Sequence, residues 1–366
     1  MTKSQIYSIK IAVLLLFSFF NISCGRVGST NAEAKESESL TSSAMTEYHA
    51  ADIIKMIKKG KPIQLMNCMI WDDLDFTQCG EPRITSGIAV EVDVEVPIYF
   101  NHCLFMGNVL GKSKFKDKFS CSANFRRSVT FSDCDFRGEV DFTKVMVADN
   151  IDFSKSTFGE NAKFDLVELR GGINRFYEIT AEKNFSFTSS YSNGNISFMD
   201  ATFKGDANFH KLICSELMMN NTTFEGDAIF SNQTIRGAAL FNYAKFNHDF
   251  DLSYSKFLAP VIMTHAEILG KIVLNYCVFS SPSRFSNAST YAIDMNEALF
   301  FFAPDLSNVK IEKVVNDESV YRFVSSERHV FRLADKSKDE ASSVGDKDKI
   351  DPDKINIQKV KEEPLL

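Results

Sequence analysis

The chain has 366 residues, a formal net charge of −7, 44% hydrophobic and 24% charged residues, which is ordinary for folded protein and excludes a wholly disordered chain. Its length fits one elongated or two compact domains. The 34 phenylalanines against one tryptophan and 10 tyrosines are unusual, because a compact core shares its aromatic volume among residue types. One kind of position is being filled by Phe again and again.

In chain order, residues 1–23 read as an export signal: Lys3 and Lys10, an apolar run from Ile11 to Phe20, then small residues. That run is too short to span a bilayer as a helix. The stretch NISC, ending at Cys24 and followed by Gly25, resembles the lipobox of bacterial lipoproteins and implies lipid on Cys24. Ser23 and Ile22 fit that pattern, whereas Asn21 stands where an aliphatic residue is usual, so cleavage without lipid or an uncleaved anchor stays open. Residues 24–45, small and polar after the cysteine, predict a disordered tether. Residues 46–97 are expected to form an N-terminal cap, with a helix over 47–58 and irregular strands in 64–76.

From there the phenylalanines set the structure. Phe131, Phe136 and Phe142 are spaced by five and six residues, and Phe153, Phe158 and Phe164 repeat that spacing. On a helix five residues advance roughly 500°, which would point Phe131 and Phe136 about 140° apart. A strand fails as well, since an odd spacing alternates faces. The chain therefore turns a corner between successive phenylalanines.

At steps of eleven, one phase continues through Phe187, Phe198, Phe209, Met219, Phe230, Phe241, Leu252, Met263, Leu274 and Phe285. Keeping that phase requires one extra residue near Gly171 and Gly172, and one fewer between Cys214 and Met219. A second phase weakens at Ala181 and Ser192. Two residues before each large position lies a smaller or β-branched one, among them Cys134, Ser156, Ala201, Val140 and Ile151. Such inward pairs separated by polar bends fit very short strands that bury their apolar face by stacking.

Runs such as ATFKGDANF (201–209) and TTFEGDAIF (222–230) resemble the pentapeptide-repeat family in its phenylalanine-rich form. The resemblance implies an all-β fold, a right-handed quadrilateral β-helix over residues 98–285, with short helical caps at both ends. The alternation of five and six residues predicts a coil of about 22 residues with a bulge at the extra one. The expected structural core is Phe131, Phe136, Phe142, Phe153, Phe158, Phe164, Phe187, Phe198, Phe209, Phe230 and Phe241. Residues 286–334 should form the C-terminal cap, with a helix within 318–334, and the charged residues 335–366 a disordered tail.

No catalytic motif emerges: the six histidines lack ligand spacing and there is no phosphate loop or nucleophile elbow. No cofactor, metal or small-molecule substrate is expected. Cys68 and Cys79 flank a possible disulfide loop, while Cys103, Cys134 and Cys277 fall on the small inward site. Acid pairs such as Asp133 with Asp135 and Asp249 with Asp251 read as solvated outer faces. The expected role is a non-enzymatic lipoprotein of the bacterial cell envelope, anchored to the membrane through lipid and acting as an interaction or structural scaffold for an unknown protein partner. Two alternatives remain: an envelope enzyme without a recognisable motif, and a DNA mimic acting on gyrase, as cytoplasmic members of the family do. Against the mimic, residues 101–290 hold 20 basic and 20 acidic side chains, and the signal points away from gyrase; no nucleic acid is expected.

Overall fold

The computed structural model describes residues 45–86, 89–115, 119–314, 320–324 and 328–332. The signal segment, Cys24, nearly all of the tether and the tail 335–366 lie outside the described residues. What is described is almost entirely β, wound as a four-sided β-solenoid.

One coil shows the plan. Val129–Ser132, Asp135–Phe136, Val140–Asp141 and Met146–Val147 occupy four successive sides, each pairing in parallel with its counterpart one coil later. We call these the Val129, Phe136, Val140 and Val147 walls. Asp135 faces Thr157 and Phe136 faces Phe158, a step of 22 residues. The step lengthens to 23 where Asp152 faces Arg175, beside the glycine pair, and shortens to 21 where Ile196 faces Leu217. Both irregularities fall where the apolar phase required them.

The five-residue steps turn through a hydrogen-bonded bend. Val145 N–H donates to the Phe142 carbonyl at 3.1 Å and Lys144 between them has φ 63°, the signature of a type II turn. The same left-handed position recurs at Asp133, Lys155, Leu166, Glu178 and onward to Asn308. The six-residue steps, such as Phe136 to Phe142, take up the extra residue in an open corner without positive φ. The expected bulge is therefore absent from the regular coils; a register shift occurs between Ile268 and Lys271.

All eleven expected core phenylalanines are fully buried. They stack coil upon coil: Phe131 on Phe153 at 5.0 Å, Phe136 on Phe158 at 5.2 Å, Phe187 on Phe209 at 6.4 Å, and Phe209 on Phe230 at 4.5 Å. The weak position at Ala181 is compensated by Phe185, which occupies the rung between Ala162 and Ala207, whereas the Ser192 hydroxyl accepts from Asn174 Nδ2 at 3.0 Å. The Phe185 ring lies 5.1 Å from Phe203 and 5.5 Å from Phe164.

The rungs extend beyond the range where the period is visible. Ile63–Met66 already pairs with Ile98–Asn101, Cys68–Ile70 with Leu104–Phe105, and Leu74–Asp75 with Val109–Leu110. These two early coils are longer because each carries a hairpin on the Val147 side: Pro82–Ser86 with Ala89–Val94, and Lys112–Phe115 with Phe119–Phe125. Their inner strands pair in parallel with each other.

The N-terminal helix begins at Ala50 and ends at Lys58, with Ile53 and Ile57 buried. Residues 47 and 48, expected to start the helix, instead belong to the strand Thr46–Tyr48, which pairs with the free edge of Cys68–Ile70. At the other end the helix expected within 318–334 is a hairpin, Val320–Val324 with Arg328–Arg332, added in parallel to Ala298–Phe300. Its β-branched and aromatic residues suit a strand, and the exposed rung supplies the hydrogen bonds that an isolated helix would have left unpaired.

Candidate interaction walls

Because the inward positions are filled, the residues available for contact are those that the two-residue strands turn outward. An apolar void of about 20 Å³ lies among Met263, Ile272, Leu274, Met295 and Phe300, too small for more than a single water-sized occupant. The four outer walls carry different chemistry.

On the Val129 wall, register aligns Asp152, Arg175, Ser197, Met218, Leu240, Ile262 and Arg284 in one outward column. Arg175 pairs with Asp152 at 3.5 Å and Arg284 with Asp305 at 3.7 Å. Between these ion pairs Met218, Leu240 and Ile262 form an unbroken apolar stripe, each half-buried. Leu258, 50% exposed, stands on one bordering corner, and Tyr243, 55% exposed, on the other. The Tyr243 ring stacks on His265 at 4.9 Å. On the diagonally opposite corner Tyr254 stacks on Tyr276, also at 4.9 Å.

The corner between the Phe136 and Val140 walls is acidic in its later coils, with Asp206, Asp227 and Asp249 in successive turns. Two of these carboxylates brace the backbone: Asp206 Oδ1 accepts from Asp227 N–H at 3.1 Å, and Asp249 Oδ1 accepts from Lys271 N–H at 2.8 Å, while Asp227 faces His248 at 3.7 Å. Asn184 serves Asp206 N–H in the same way. The acid pairs singled out in the sequence are likewise engaged. Asp133 contacts His102 at 3.0 Å, Asp251 accepts from Ser253 N–H, and Asp135 pairs with Arg137. Burial raises the Asp135 pKa, with Arg137 opposing the shift.

The small inward site has a role that residue size alone did not reveal. Ser156 Oγ donates to the Phe131 carbonyl at 2.7 Å, Ser190 to Phe164 at 2.8 Å, Thr222 to Phe198 at 2.7 Å, and the Cys277 thiol to Leu252 at 2.9 Å. Each bonds a corner carbonyl of the preceding coil, and at Phe198 and Leu252 that carbonyl also accepts the backbone N–H of Ala201 or Ser255 at 3.2 Å. Burial pushes the Cys214 and Cys277 thiols up to about 12, leaving them protonated.

Cys68 and Cys79 are both buried free thiols, and they do not form the loop their spacing allowed. Cys68 instead sits on the rung below Cys103. Among the described residues no group of three His, Cys, Asp or Glu side chains is placed to hold a metal, and no helix is long and apolar enough to cross a membrane.

Residues 122–168 match the family model for pentapeptide repeats (9 copies). No curated protein and no solved structure was found to match the chain. The matched segment covers two of the regular coils, and the same walls, corner turns and inward columns continue on both sides of it, so the matched repeats are part of one continuous four-sided β-solenoid.

Proposed function

We propose that this chain is an exported protein of the bacterial cell envelope, held to the membrane by lipid on Cys24, whose solenoid acts as a non-enzymatic scaffold for a partner protein. The observation that carries the scaffold reading is the Met218, Leu240 and Ile262 stripe. It is an apolar strip with aromatic and aliphatic flanks on a body whose inward positions, among the described residues, are filled by packed side chains. Interface cores favour such apolar and aromatic side chains within a polar rim, and here the rim is supplied by the two ion pairs. Export and lipidation rest on the charged start, the short apolar run and the residues before Cys24.

The test places a photo-crosslinking residue at position 240, and separately at position 180 on the outward side of the Phe136 wall. Crosslinking in intact cells should give one discrete adduct from position 240 that disappears with Met218→Glu and Ile262→Glu. Equal adducts from both positions would remove the Val129 wall as the contact face. For the anchor, metabolic labelling with a fatty acid should mark the wild type and leave Cys24→Ala unlabelled; equal labelling of the two excludes lipid at Cys24.

A further inference from the structure

Three cysteines that are scattered in sequence share one column of the core. Met69 faces Leu104 and Leu104 faces Asp135, so the residues just before them, Cys68, Cys103 and Cys134, occupy successive rungs of the small inward site. Ser156 continues the column on the next rung, where its hydroxyl accepts from Cys134 N–H at 3.0 Å. All three thiols are at most 2% exposed, and each donates to a nearby carbonyl: Cys68 to Met66, Cys103 to Asn101 and Cys134 to Ser132.

We propose that this column is a disulfide site in which Cys103 bonds to either Cys134 or Cys68, stapling adjacent coils where the hairpin-bearing turns meet the regular ones. In-register neighbours on parallel strands lie about 4.8 Å apart, inside the roughly 4.4 to 6.8 Å between Cα atoms that a disulfide accepts. Cys68 and Cys134 are two rungs apart, about 9.6 Å on the same spacing, which is out of range. Every bridge in the column therefore uses Cys103.

The electrostatics single out the same residue. The Cys134 thiol on the next rung is the largest influence lowering the Cys103 pKa against its burial, whereas burial raises those of Cys68 and Cys134. The thiolate is the attacking species in disulfide exchange. With a small external disulfide such as glutathione disulfide, the Cys103 thiolate attacks one sulfur, the external S–S bond breaks, and one glutathione thiolate leaves. The neighbouring cysteine, deprotonated, then attacks the Cys103 sulfur of the mixed disulfide and expels the second glutathione. Two protein thiols are oxidised, one external disulfide is reduced to two thiols, and the two protons end on those thiols. The third cysteine can attack Cys103 in turn, moving the bridge by one rung without net oxidation. Burial confines these steps to folding or to opening of the early coils, and afterwards shields the bond.

The test refolds the full chain with reduced and oxidised glutathione, and in parallel with excess reductant, then blocks free thiols under denaturing conditions and maps peptides without reduction. The oxidised sample should have two fewer free thiols per chain, with Cys103 linked to Cys134, to Cys68, or to a mixture of the two. Cys68→Ser and Cys134→Ser should each retain the remaining bridge, while Cys103→Ser should lose both. Serine occupies the next rung of the same column, so these variants are expected to fold, which circular dichroism checks. Absence of any Cys103 linkage in the oxidised wild type overturns the proposal on its own, as does an undiminished Cys68 or Cys134 bridge in Cys103→Ser.

Discussion

A single inward phenylalanine illustrates what holds the coil together. Phe209 is fully buried, with rings of the neighbouring coils on both sides: Phe187 at 6.4 Å and Phe230 at 4.5 Å. Two residues on, Lys211 occupies the left-handed corner with its side chain exposed. Truncating a buried Phe costs about 3 to 5 kcal/mol through lost transfer energy and an unfilled cavity, and a surface change away from special contacts stays within about 0.5 kcal/mol. Phe209→Ala should therefore lower the denaturation midpoint strongly and Lys211→Ala scarcely at all. Equal effects in chemical denaturation would show that the inward phase is misassigned.

At the scale of elements, the decisive feature is how the solenoid's first edge is closed. The helix Ala50–Lys58 places Ile53 and Ile57 over the first coil, and the strand Thr46–Tyr48 pairs with an edge that would otherwise template another chain. Ile53→Asp puts an unpaired charge at a fully buried position, which favours release of the helix over burial of the carboxylate. The expected outcome is association of uncapped molecules, seen as a rise in mass by light scattering, with Lys55→Asp remaining monodisperse by comparison. Identical scattering from the two variants would mean that this helix does not guard the edge.

For the molecule as a whole, stacked coils contact chiefly their neighbours, so stability is distributed along the axis. Thr223 faces Lys245 and Phe224 faces Phe246, a step of 22 residues. Deleting residues 223–244 joins Thr222 to Lys245 and leaves every inward column in phase. The shortened chain should keep its β circular dichroism and a cooperative unfolding transition at a modestly lower midpoint. Deleting 223–241 instead displaces all later columns by three residues and should prevent folding of the C-terminal coils. If both deletions behaved alike, the 22-residue coil would not be the structural unit.

The repeating coil was legible from residues alone, because an interior only a few side chains wide demands a large apolar residue at each turn, and the chain has no other place to put it. The two register irregularities near Gly171 and after Cys214 were visible for the same reason. The left-handed corners were not, since positions such as Lys144, Leu166 and Tyr243 lack the glycine that usually marks them; stacking, not local preference, holds them there. Phe185 was missed because its place on the rung between Ala162 and Ala207 is normally small, and only the neighbouring Ala181 leaves room for its ring. The early rungs and both hairpins escaped the period because inserted residues break it, and the hairpin at Val320–Arg332 depended on an edge that exists only after the coils have formed. Likewise, intervals of 35 and 31 residues gave no reason to connect Cys68, Cys103 and Cys134. Only the winding of the chain, which converts unequal sequence separations into equal rungs, brought them into one column.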